Sequence, residues 1–219
     1  MKISSDSKLV FMGDSITDCG RDLTGNPTPW NLNAGLGRGF VDLVAAHFGV
    51  VCPERKIRVI NRGVSGNTVV DLASRWEVDV LRVQPDWLVV MIGINDVWRQ
   101  FDQPLVTEAH VTPEVYERVL DDLLQRTPVS GGRMLMTPFM VEPNRDEPMR
   151  RRMDDYGRIV QRLAERHGTL FVDTQKAFDA VLTTTHPMAL AWDRIHPNST
   201  GHLILARAFL SAIEAPGLG

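Results

Sequence analysis

Four short stretches of the chain carry residue types that can do chemistry together. Gly13-Asp14-Ser15-Ile16-Thr17-Asp18 stands near one end and Asp193-Arg194-Ile195-His196-Pro197 near the other. A serine hydroxyl is a poor nucleophile until a base takes its proton. An imidazole takes it best when a carboxylate fixes its tautomer and stabilises the imidazolium. A D-x-x-H turn supplies both from one loop, with His196 as base and Asp193 as its orienter. Ser15 follows an apolar run and lies close to Gly13, a glycine that permits a tight turn. That is where a nucleophile is exposed and where backbone N–H groups can face an oxyanion. Taken singly, G-D-S is more often a helix cap and D-x-x-H a loop ion pair.

Two further stretches supply what such a site lacks. Asn61-Arg62-Gly63-Val64-Ser65-Gly66-Asn67 offers the N–H of Gly63, and Gly93-Ile94-Asn95-Asp96 offers the side-chain amide of Asn95, as donors to an oxyanion. Alone, each is a glycine turn or an Asx-turn. Their weight comes from following successive strand candidates, so that a nucleophile, two donors and a base converge on one rim. Asp14, Trp98 and Trp192 adjoin these groups and are the expected substrate contacts, with Trp192 closing the acyl side. The G-x-S-x-G elbow is absent, because Thr17 occupies its last glycine position and Gly63-Val64-Ser65-Gly66 has the wrong spacing.

Other residues argue against other chemistries. His196 and His202 are joined by no carboxylate or cysteine cluster, so neither a metal nor any cofactor is expected. Cys19 and Cys52 form no C-x-x-C pair and read as reduced structural thiols of a cytoplasmic protein. Gly35-Leu36-Gly37-Arg38-Gly39 lacks the spacing of a dinucleotide loop.

The elements that must position these groups alternate. Apolar runs at Leu9–Met12, Ile57–Ile60, Trp87–Ile92, Met134–Met136 and Leu170–Val172 are too short for helices and read as five strands. Between them, Phe40, Leu43, Val44, His47 and Phe48 share a helical face. Leu72, Trp76 and Val80 repeat at four, and Met149 to Leu163 carry the same period before a stop at Gly168. Thr112-Pro113 reads as a helix start, and Asn198 or Ser199 as the cap of a last helix. Such alternation implies a mainly parallel sheet covered on both faces, a three-layer α/β/α sandwich in one domain over residues 1–219, with its site at the carboxyl ends of the strands.

Composition agrees. The 219 residues are 43% hydrophobic and 23% charged with a formal net charge of −3, which gives no basic face for nucleic acid. No apolar run approaches the roughly 18 residues of a membrane helix, and the polar stretch Met1 to Ser7 does not resemble a signal peptide. Neither nucleic acid nor membrane is an expected partner.

In order and over about the whole chain, the G-D-S, the glycine block, G-x-N-D and the late D-x-x-H resemble the four sequence blocks of the SGNH (GDSL-like) hydrolases. The resemblance implies the flavodoxin-like fold of that superfamily, a nucleophilic Ser15 with His196 and Asp193, and an oxyanion hole of Ser15, Gly63 and Asn95. Longer stretches, Gly13 to Arg21, Met91 to Gln100 and Ala191 to Pro197, resemble the intracellular bacterial xylan acetylesterase branch. That branch implies removal of acetyl groups from xylan fragments through an acetyl-serine, a small acetylated saccharide as substrate, no metal, and a homo-oligomer, with an octamer as one form. Two other readings stand beside it. One is a lysophospholipase or thioesterase, which a long apolar groove would favour; the other is a catalytically silent carbohydrate-binding protein, against which the intact Ser15, Asn95, Asp193 and His196 argue.

Overall fold

The runs at Leu9–Met12 and Trp87–Met91 become strands buried on both faces, which leaves no solvent face to impose alternation. In the computed structural model, residues 1–22 and 34–218 are described; the expected domain span of 1–219 includes residues 23–33 and 219, which lie outside them. Five strands form one sheet in the order β2-β1-β3-β4-β5: β1 (Lys8–Gly13), β2 (Arg58–Gly63), β3 (Trp87–Met91), β4 (Gly132–Met136) and β5 (Leu170–Val172). Every described pairing is parallel, with Gly13 opposite Gly63 on one side and Met91 on the other. The central β3 is buried throughout, whereas the edge strands β2 and β5 are partly exposed.

The helices are α1 (Ser15–Asp18), α2 (Phe40–Val51), α3 (Val69–Trp76), α4 (Ile94–Asp102), α5 (Pro113–Gln125), α6 (Pro148–His167), α7 (Thr174–Leu182) and α8 (Ser199–Ala212). The chain runs from β1 outward to β2 through α2, then reverses direction to β3 through α3. Right-handed crossovers therefore put α2 on one face and α3, α5 and α6 on the other. The helix packing agrees, with α2 and α7 against α8, and α5 against α3 and α6. Phe11 of β1 meets Phe40 and Phe209 on the first face, with ring centroids 5.6 and 5.1 Å apart. On the second face Trp76 is fully buried and its indole donates to Thr127 Oγ1 at 2.8 Å.

The helix signals in the sequence have physical counterparts. Thr112 caps α5 with Pro113 at its first position, Asn198 caps α8 by accepting from Thr200 and Gly201, and α6 stops at Gly168 in the left-handed region. Two boundaries differ from expectation by more than two residues. The apolar period through Val80 ends as an α-helix at Trp76 and continues as a π-turn over Glu77–Leu81, with Val80 still buried. The second strand runs three residues beyond Ile60, so Asn61, Arg62 and Gly63 are sheet and not loop. The reversal of direction between β1 and β3 marks the switch point where an open α/β sheet forms its crevice.

Candidate active site

Ser15 stands two residues beyond Gly13, the last residue of β1 that is paired on both sides. Asp14 caps α1, its carboxylate accepting from the Ile16 N–H at 3.0 Å, and Ser15 becomes the first residue of that short helix. A first-turn N–H has no intrahelical acceptor, so that of Ser15 is available. The turn is packed too closely for side chains. A Cβ on Gly13 would lie 2.1 Å from Thr17 Oγ1, and one on Gly63 would lie 2.2 Å from the Asp18 N. Asp14 itself is 2% exposed and does not line the cleft, which corrects the expectation that it touches substrate. Burial pushes its carboxyl up to about 7, against the Ile16 hydrogen bond and the nearby His196.

The base arrives from the loop before α8. His196 Nε2 lies 2.9 Å from Ser15 Oγ, and His196 Nδ1 lies 2.6 Å from Asp193 Oδ2. A carboxylate only accepts, so Nδ1 carries the ring proton and the Nε2 lone pair faces the serine hydroxyl. Asp193 Oδ1 accepts from the N–H groups of Ile195 and His196 at 2.9 and 2.8 Å, so the D-x-x-H turn orients itself. Partial burial raises the Asp193 pKa, but those backbone bonds and the His196 ring outweigh it and hold the carboxyl below the ordinary range. The loop is pinned to its neighbour by the Arg194 to Glu142 ion pair at 2.8 Å and by the Val141 N–H donating to Arg194 O.

Opposite the base lie the donors. Asn95 is the second residue of α4, and its Nδ2 donates to the Asn67 carbonyl at 3.0 Å. One amide hydrogen is thus fixed, and the second is left for the cleft. Gly63 does not take the role expected of it. The extension of β2 places it in the sheet, and its N–H donates to Asn61 Oδ1 at 2.8 Å. Gly66, three residues on, lines the cleft at φ +83°, and among the described residues its N–H has no acceptor. Its turn is held by Ser65, whose N–H and hydroxyl both donate to Asp18 Oδ2, at 3.1 and 2.7 Å. A Ser-Gly following a strand was the available signal. Spacing alone could not choose between two glycines without knowing where the strand ends.

The cleft has a volume of about 400 Å³ and is lined by Ser15, Gly66, Asn95, Trp98, His196 and Cys19 among others. Trp98 stands edge-on to His196, with ring centroids 6.2 Å apart, which suits its expected place as a wall. Trp192 is 79% exposed and lines no part of the cleft, so it does not close the acyl side. Adjoining Asp193 in sequence, it projects away while the carboxylate turns inward. Three residues that sequence reasoning left aside line the cleft instead: Arg99, Cys19 and His202. Cys19 Sγ lies 3.2 Å from His202 Nε2, and the Phe40 N–H donates to His202 Nδ1 at 3.2 Å. That donation consumes the Nδ1 lone pair, so the ring proton is on Nε2 and points at sulfur. Burial, then the charge of His196, pushes His202 down to about 4, and burial raises the Cys19 thiol. At neutral pH this pair is a wall and not a second nucleophile and base.

The family model described as GDSL-like lipase/acylhydrolase matches residues 11–204. An acetylxylan esterase of Geobacillus stearothermophilus is 54% identical over 214 residues, which span 97% of this chain and 96% of that protein. Its crystal structure, as Axe2, superposes with a TM-score of 0.92 at 54% identity over 97% of this chain and 96% of that one. Solved forms of Axe2 include catalytic mutants with a serine, an aspartate or a histidine replaced by alanine. LAE5, an alpha/beta hydrolase from the metagenome of Lake Arreo in Spain, superposes with a TM-score of 0.93 at 54% identity over 98% of both chains.

Proposed function

The chain belongs to the GDSL-like lipase/acylhydrolase family, and from that premise we propose that it removes O-acetyl groups from xylan fragments through an acetyl-Ser15 intermediate. Ser15 Oγ attacks the ester carbonyl carbon while His196 Nε2 takes its proton. The carbonyl oxygen becomes an oxyanion that accepts from the N–H groups of Ser15 and Gly66 and from the Asn95 amide. Collapse expels the sugar oxygen, which takes the proton back from His196, and leaves Ser15 acetylated. A water molecule, deprotonated by His196, then attacks the acetyl carbon, and acetate and free Ser15 are released. Asp193 stays ionised throughout and steadies the imidazolium.

One observation carries this reading. The Asp193–His196–Ser15 chain, at 2.6 and 2.9 Å, ends in the same cleft as an uncommitted Gly66 N–H and an Asn95 amide held from behind. The substrate class is supported by the 54% identical acetylxylan esterase. The test is turnover of acetylated xylo-oligosaccharides beside acyl esters of rising chain length. Acetyl esters should be cleaved fastest; k_cat/K_M rising from acetyl to octanoyl would favour a lipid-directed enzyme.

Assembly and location belong to the same proposal. Trp192 and Met188, 79% and 63% exposed on one loop segment, give a second copy apolar surface to cover, and a homo-oligomer is expected on size-exclusion with light scattering. The two free thiols suit a reducing cytoplasm. Among the described residues no helix is long and apolar enough to cross a membrane.

A further inference from the structure

The carbonyl groups behind the site converge on one side chain. Arg75 lies in the last turn of α3, with its side chain 17% exposed. Its Nε donates to Asn67 Oδ1 at 2.7 Å, one terminal nitrogen to the Arg62 carbonyl at 2.8 Å, and the other to the Gly13 carbonyl at 3.1 Å. An ion pair to Asp79 at 2.7 Å completes the set. The acceptors belong to three separate segments: the end of β1 two residues before Ser15, the end of β2, and the turn that carries Gly66.

We infer that Arg75 is a positioning residue for the hydrolysis, setting the spacing between Ser15 and the donors to the oxyanion; this rests on the reading of the site proposed above. The link to Asn95 is direct. Arg75 holds the side chain of Asn67, and the main-chain oxygen of that same Asn67 holds the Asn95 amide. The link to Ser15 runs through Gly13, whose carbonyl accepts both from Arg75 and from the Val64 N–H. A planar guanidinium offers five donors in a fixed fork and can serve three segments at once. The three donors of an ammonium radiate from one nitrogen and do not span the positions that Nε and the two terminal nitrogens reach. The ion pair to Asp79 is the part of this arrangement that a lysine can retain.

The deciding experiment is a double-mutant cycle read on p-nitrophenyl acetate, with k_cat and K_M for wild type, Arg75→Lys, Asn95→Ala and the pair. Misplacing a catalytic group by a fraction of an ångström costs turnover more than binding, so Arg75→Lys should lower k_cat about tenfold or more with K_M changed less than about threefold. In the Asn95→Ala background the same change should cost distinctly less than in the wild type, because one of the donors that Arg75 aligns is already gone. Asn67→Ala leaves the Arg75 to Asp79 pair untouched and should show the same split and the same non-additivity, which covers the case in which Arg75→Lys folds poorly. Equal losses in both backgrounds, or an effect on K_M alone, would overturn the inference. Failure of the underlying reading would show differently, as undiminished turnover in Ser15→Ala whatever Arg75→Lys does.

Discussion

Ser15, Gly66 and Asn95 rest at strand ends braced from beneath, whereas Asp193 and His196 rest on a surface loop whose own carboxylate orients the base. On the first side the supports are long-range: Arg75 to Gly13, Arg21 Nε to the Gly63 carbonyl at 2.6 Å, and Asp96 Oδ1 accepting from the Val69 N–H at 3.0 Å. On the second the bonds that orient His196 all come from Asp193, three residues away, and His196 keeps 42% of its side chain exposed. The difference follows from what each group must do. Oxyanion donors act on charge that develops at one point, so they need a rigid frame set before the reaction. A base that takes a proton and returns it needs its tautomer fixed, which one carboxylate accomplishes locally. Substitutions on the loop should therefore cost activity with little stability, and those at the strand ends should touch both.

The largest effect is expected on the loop. Asp193→Asn keeps the shape but offers an N–H where His196 Nδ1 must donate, and so favours the wrong tautomer. The fall in k_cat should be of order 10⁴, with the melting temperature nearly unchanged. A loss below tenfold in steady-state kinetics would mean that His196 is oriented by something else.

On the braced side, Asn95→Ala should lower k_cat by about 10²–10³ with K_M altered little. It also frees the Asn67 carbonyl, so calorimetry should register a loss of stability that Asp193→Asn lacks. If the two variants lose equal stability, the contrast between the regions fails.

A smaller effect measures the cost of that bracing. Asp96 is 1% exposed, and among the described residues its Oδ2 has no partner. Burial raises its carboxyl from 3.8 to about 7, in spite of the bond from Val69. Between those values the folded chain keeps a proton that the unfolded chain has released. This group's contribution to stability therefore falls as pH rises from about 4 to 7 and stays lost above. Asp96→Asn cannot ionise and still accepts from Val69, so it should raise the melting temperature by a few degrees at pH 8 and hardly alter it at pH 4. A uniform shift across pH would show that Asp96 is ionised in the fold throughout.

The smallest effect belongs to the loop's outer face. Because Trp192 points to solvent, Trp192→Ala should leave the acyl-chain preference of a single subunit unchanged. A relaxed preference for acetyl in that variant, measured on esters from acetyl to octanoyl, would place the indole against the substrate after all.

The same contrast separates what the sequence made legible from what it did not. Leu9–Met12 and Trp87–Ile92 announced their strands because two-sided burial leaves continuous apolar runs, and Ser15, Asn95, Asp193 and His196 could be read from short blocks. Gly63 was misread because β2 ends in Asn61-Arg62-Gly63, polar residues at the sheet rim that look like loop. Asp14 and Trp192 were misread because adjacency in sequence says nothing about direction: one carboxyl caps a helix and one indole faces out. Arg75 carried no motif at all, since only the fold brings the Gly13 and Arg62 carbonyls and the Asn67 side chain within its reach.

The central claim is that Ser15, activated by His196, is the atom that carries the acyl group. Intact-protein mass spectrometry after treatment with a serine-directed phosphonate tests it most directly. The wild type should gain the mass of one adduct, mapped to the peptide containing Ser15, and Ser15→Ala, folded by circular dichroism, should gain none. An adduct of equal yield on Ser15→Ala would contradict the account.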